Sequence, residues 1–72
     1  MKLFCWESEM LADYTAGNII VMGRNVDHAR NVARAAFKGR YLNPTEYQAT
    51  AFECDIAKEP KVDIGFFIHG GA

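Results

Sequence analysis

The chain is short of nearly every residue type that advertises chemistry. Its 72 residues include one serine (Ser8), two histidines (His28 and His69) and two cysteines (Cys5 and Cys54). Ser8 has no nearby sequence partner that would mark it as a nucleophile. His28 and His69 share no metal-ligand spacing with each other or with the cysteines. His28 falls in a helix's first turn, between polar and apolar arcs, where a half-exposed structural histidine is expected. The cysteines lie far apart and outside any C-x-x-C pattern, whereas disulfide-built domains of this size usually carry four or more. Free thiols in a reducing, cytoplasmic setting are therefore expected, with Cys5 inert on a buried strand. The glycine pair Gly70-Gly71 precedes no helix and so makes no phosphate cradle. These shortages point away from an enzyme, and no cofactor or metal is called for.

Long apolar runs are also missing. Leu3-Phe4-Cys5-Trp6 follows Lys2 and gives only four apolar positions, too few for a secretory leader. No stretch approaches the length of a membrane span, so no membrane partner is expected. Net charge is also small, at −1, and overall charge names no partner. What the chain does have is apolar mass: half its residues are apolar and nine are aromatic, which excludes disorder. A chain of this length forms one domain, residues 1–72, and buries only about 60% of its unfolded surface. Such domains often gain stability as homodimers.

Residues 2–7 predict a strand, since Leu3, Cys5 and Glu7 alternate with Phe4 and Trp6. Residues 8–17 form a connection, and Asn18-Ile19-Ile20-Val21-Met22 a second strand whose β-branched run suits burial on both faces. The pair is expected to be antiparallel, joined by a loop long enough to carry function. Asn25 as N-cap, Asp27 in the first turn and Gly39 as the stop mark out a helix. At 100° per residue, Val26, Ala29, Val32, Ala33, Ala36 and Phe37 fill one arc of roughly 140°. Arg30, Arg34 and Lys38 follow one another on an adjacent arc of roughly 80°.

Asn43-Pro44-Thr45-Glu46 reads as a second helix start, with Asn43 as cap and proline at the first position. Ala49, Phe52 and Ile56 then share a helical face. Phe52 to Ile56 also alternate as a strand would, and the helix is preferred because a strand leaves that start unused. Pro60 ends the element. Val62, Ile64, Phe66 and Ile68 alternate along a last strand, with Gly65 at a bulge. The expected fold is α+β: a three-stranded antiparallel sheet with helices on one face, ordered β-β-α-α-β, the alternative being β-β-α-β-β.

Charge is unevenly spread. Arg24, Arg30, Arg34, Lys38 and Arg40 fall in a segment whose only acid is Asp27, and the other eight acids flank it. A basic side and an acidic side follow. Guanidinium groups on successive helical turns suit a row of carboxylates or phosphates, with Tyr41 adjacent for stacking. Arg24, Arg30, Arg34, Lys38, Arg40 and Tyr41 are thus the candidate macromolecule-binding residues, on either an acidic protein surface or a nucleic acid. Substituting Glu for Arg30 and Arg34 is expected to abolish such binding with the fold intact. A solvated helix face, with Asp27 paired to Arg30, is the plainer alternative. Trp6, Asp13 and Tyr14 around the first loop form a secondary candidate contact surface, unless Trp6 and Tyr14 simply fill the core edge.

The opening K-L-x-x-W-E, the D-Y-T-x-G at Asp13–Gly17, the A-K-E-P-x-V at Ala57–Val62 and the final glycine pair resemble small phage and bacterial proteins of uncharacterised function. In size and style the chain is similar to phage-encoded inhibitors of host defence, such as anti-CRISPR proteins. The resemblance implies a partner, namely a host or phage protein complex whose surface is occluded, and it supplies no site residues. It departs from the strongly acidic inhibitors that mimic nucleic acid.

Overall fold

The computed structural model describes residues 1–8, 11 and 17–62. Strands β1 (Lys2–Ser8) and β2 (Gly17–Gly23) precede helices α1 (Val26–Arg40) and α2 (Glu46–Ala57), and strand β3 (Lys61–Val62) closes the order β-β-α-α-β. The sheet runs β2-β1-β3 and both pairings are antiparallel. This is the expected α+β fold. The rest of the expected last strand (Gly65 included), most of the expected first connection (Asp13 and Tyr14 included) and His69 lie outside the described residues.

β1 is the central strand, paired with β2 along one side and with β3 along the other. Phe4 and Trp6 point to one face with Ser8, and all three are buried. Their β2 partners Val21 and Ile19 share that face, and α1 and α2 cover it. The core is Phe4, Trp6, Ile19, Ala29, Ala33, Phe52 and Ile56, fringed by Leu11, Val21, Val26, Phe37 and Val62.

β2 departs from the expected burial on both faces. Ile19 is buried, yet Ile20 and Met22 are 41% and 48% exposed. The reason is topological: helices cover only one face, and β2 is an edge strand, so its alternate side chains look outward.

α1 starts where the sequence indicates. The Asn25 side chain accepts the His28 backbone N–H at 2.8 Å, which satisfies one of the four orphan donors of the first turn. Ala29 and Ala33 are essentially inaccessible, and small side chains there let the helix lie close over β2. Gly23 completes the fit: a Cβ at this position would come within 2.8 Å of the Ala29 nitrogen. Gly39 does not stop the helix as expected. α1 runs through it to Arg40, and Tyr41 ends it in an extended conformation while its N–H reaches the Phe37 carbonyl at 2.8 Å.

Residues 46–57 are helical, which settles the helix-or-strand ambiguity. The cap sits two residues later than the sequence suggested, at Thr45. Thr45 Oγ1 accepts the Gln48 N–H at 3.0 Å, and Gln48 Oε1 accepts the Thr45 N–H at 2.9 Å. That reciprocal box satisfies two donors together. Phe52, Asp55 and Ile56 are the buried residues of α2, at helical spacing.

Candidate functional site

Four of the five candidate basic residues ride on α1, and Arg24 precedes its cap. The fold uses them unequally. Arg30 turns toward the end of α2, where its Nε donates to the Ile56 carbonyl at 2.6 Å and its Nη2 to the Lys58 carbonyl at 3.3 Å. α2 has no basic residue in its own last turn, so Arg30 supplies the cation that its C-terminal dipole favours. Arg30 also meets the expected Asp27 at 3.5 Å. The Trp6 indole donates to the same Lys58 carbonyl at 2.8 Å.

Arg34 is likewise engaged. Its Nε and Nη2 grip the Glu53 carboxylate of α2 at 3.0 Å each, and its Nη1 reaches Asn31 Oδ1. That hydrogen bond to Glu53, outweighing a smaller opposing effect of burial, holds the Arg34 pKa above its ordinary value. The predicted stripe is therefore divided. Arg30 and Arg34 tie α1 to α2, so replacing both by Glu would remove contacts within the fold as well as any contact with a partner.

Lys38 and Arg40 make no ion pair among the described residues. Both are exposed, and Tyr41 beside them is half-buried. Arg24 is exposed at the far end of α1, where its backbone N–H donates to His28 Nδ1 at 3.0 Å. His28 is thus the structural histidine that the sequence implied.

Below Lys38 opens an apolar groove of about 550 Å³ between the end of α1 and the start of α2. Phe37, Tyr41, Leu42, Pro44, Ala49 and Phe52 line it, with Lys38 and the Arg34–Glu53 pair on its rim. Phe37 stacks on Phe52 at 4.4 Å between centroids and meets Tyr41 at 5.0 Å. These rings give the groove a firm wall. Leu42 is 84% exposed, an unusual cost for a large aliphatic side chain in so small a protein. Sequence reading missed Leu42, Pro44 and Ala49, because the groove exists only once α2 folds back beside α1. The exposed Leu42 next to Tyr41 was the one available hint.

Of the secondary candidate surface, the structure describes Trp6 alone. Trp6 is 2% exposed and forms part of the core wall, so it offers no contact area. Asp13 and Tyr14 lie outside the described residues.

Two polar groups that sequence spacing did not connect meet in the interior. Ser8 and Asp55 are 2% and 6% exposed, and Ser8 Oγ donates to Asp55 Oδ2 at 2.7 Å. The Leu11 N–H donates to Ser8 Oγ at 3.3 Å. This pair fastens the end of β1 to α2, and no described histidine approaches it to make a nucleophile. Cys5 is buried on the opposite face of β1, and Cys54 is exposed; both are free. Burial pushes the Cys5 thiol pKa up, with the nearby Lys61 charge partly opposing. Among the described residues no three His, Cys, Asp or Glu side chains gather as a metal site. No described helix is long and apolar enough to cross a membrane.

Comparison with protein-family models, with curated proteins and with solved structures finds no match to this chain.

Proposed function

We propose that this protein is a small non-catalytic binding module that seats an acidic segment of another protein in the groove between α1 and α2. The observation that carries this reading is the groove's composition. A row of apolar and aromatic side chains lies beneath a lysine that no described acid neutralises. Aromatic walls with a cationic rim suit an aromatic or aliphatic anchor flanked by carboxylates. Lys38 and Arg40 would steer such a partner and set its orientation. Nucleic acid is the less favoured ligand, since the row of guanidiniums it would need is spent on Ile56, Lys58 and Glu53. The resemblance to phage-encoded inhibitors supplies a setting in which occluding a surface on a host complex is the whole activity. A groove without catalytic groups is sufficient for that role.

The test is a nuclease-treated pull-down from bacterial lysate, run with the unmodified chain, Lys38→Glu and Leu42→Asp in parallel. The expected result is a stoichiometric protein partner that survives nuclease and is lost from both variants. Loss of every partner on nuclease treatment, or equal capture by both variants, would contradict the proposal.

A further inference from the structure

The side chains that join α1 to α2 form a ladder. Arg30 donates to the Ile56 carbonyl, and Arg34 grips the Glu53 carboxylate. The two helices therefore run in opposite senses, a turn forward along α1 matching a turn back along α2. One turn beyond Arg34 on α1 is Lys38, and one turn before Glu53 on α2 is Ala49. Both line the groove. A carboxylate at residue 49 would make a third rung, and the sequence puts a methyl group there.

A cation is left open as a result. Lys38 is exposed and Ala49 half-buried. The charged side chains lining the groove are Arg34, Lys38 and Glu53, and Arg34 already engages Glu53, so Lys38 is the charge in excess. Glu46 lies one turn before Ala49 on the same side of α2, yet it neither lines the groove nor pairs with Lys38. Arg40 lines a neighbouring hollow toward β2 instead. The stacked rings of Phe37 and Phe52 lie beside the open rung and offer a seat for an apolar side chain.

We infer that the groove selects an aspartate or glutamate set directly beside an apolar anchor in the partner segment. Its carboxylate enters the place that Ala49 leaves open, meets Lys38 and completes the ladder. Ala49 and Lys38 are then the residues that determine specificity. The alanine acts twice, since it leaves room beside the Phe37–Phe52 stack and supplies no competing carboxylate. One ammonium matches one carboxylate. A phosphate dianion would ask for a second free cation at this rung, and Arg34 is held by Glu53. This selectivity rests on the groove being the binding surface, as proposed above, and the two can fail separately.

The probes are two synthetic peptides, Gly-Ser-Asp-Trp-Leu-Ser-Gly and its Asn counterpart, each titrated into the nitrogen-15-labelled chain. Both should shift the Phe37, Tyr41 and Leu42 amides, and the Asp form should bind more tightly by about threefold or more at low salt. Lys38→Gln and Ala49→Glu should each abolish that preference, the first by removing the cation and the second by pairing it from within. Ala49→Gln adds similar bulk without charge and should keep the preference. With no peptide present, Ala49→Glu should unfold at higher urea than Ala49→Gln. That difference should shrink when Lys38→Gln is added, by roughly two- to fivefold in the unfolding constant. Equal binding of the two peptides at the groove would overturn the selectivity and leave the groove reading standing. So would an Asp preference that survives Lys38→Gln, or an absence of coupling between residues 38 and 49. If neither peptide perturbs the groove amides, the selectivity and the groove reading fall together.

Discussion

Removing the Arg30 side chain probes the fold where helix capping and core meet. The last carbonyls of a helix have no intrahelical partner, and Ile56 belongs to that group in α2. Its side chain is wholly inaccessible, and its carbonyl takes a 2.6 Å hydrogen bond from Arg30 Nε. The Lys58 carbonyl has a second donor in the Trp6 indole, so it stays satisfied without Arg30. Arg30→Ala therefore strands one carbonyl, removes one charge-assisted bond and uncovers the arginine stem, whose side chain is only 22% exposed. A hydrogen bond to a charged group contributes about 1.5–3 kcal/mol. Total stability at this size is roughly 4–11 kcal/mol, so a loss of about 2 kcal/mol would be a large share. It corresponds to a fall in Tm of roughly 8–16 °C. Urea denaturation followed by circular dichroism measures it directly, with an unchanged slope showing that the unfolding transition is the same. Arg30→Lys should fall between wild type and Ala, since one ammonium cannot reproduce the planar fork. If Arg30→Ala unfolds within about 0.5 kcal/mol of wild type, a range usual for plain surface substitutions, the capping account is wrong.

Three further outcomes follow from the interior. Ser8→Ala leaves the buried Asp55 carboxylate without its described partner and should destabilise by about 1–3 kcal/mol, whereas Arg34→Ala, at a pair 42% and 51% exposed, should cost under about 1 kcal/mol; paired urea titrations compare them. Gly23→Ala forces a Cβ against the Ala29 backbone and should cost about 1–3 kcal/mol through overpacking, read as a lower urea midpoint. The raised Cys5 pKa makes stability fall with alkaline pH: once pH passes the ordinary thiol value of 9.0, the unfolded chain loses a proton that the folded chain keeps, so the slope is negative. Cys5→Ala should flatten the part of that slope due to this thiol in a pH series of urea midpoints, and native thiol labelling should modify Cys54 well before Cys5.

The sequence carried the elements better than the contacts between them. β1, β2 and both helices were legible because alternation and caps are local, and Asn25, Asp27 and Pro60 each act within a few residues. Thr45 was misplaced as a cap because Asn43-Pro44 offered an equally plausible start two residues earlier, and only the reciprocal bonds with Gln48 decide between them. Gly39 looked like a helix stop, but nothing at this position requires one, and Tyr41 ends the helix instead. The candidate site was harder. Helical spacing correctly put Arg30, Arg34 and Lys38 on one side of α1, yet could not show that α2 lies against that side. Carboxylate and carbonyl partners 19 to 28 residues away consumed the two arginines and left Lys38. The Ser8–Asp55 bond spans 47 residues and has no local signature at all.

The central claim is that the groove between α1 and α2 is the binding surface. Its most direct test is a nitrogen-15 NMR titration of the folded chain with the purified partner recovered by pull-down. Shifted and broadened amides should concentrate on Phe37, Lys38, Tyr41, Leu42 and Ala49, with the open sheet face at Leu3 and Cys5 unchanged. Perturbations centred on that sheet face or on Arg24, with the groove silent, would contradict it.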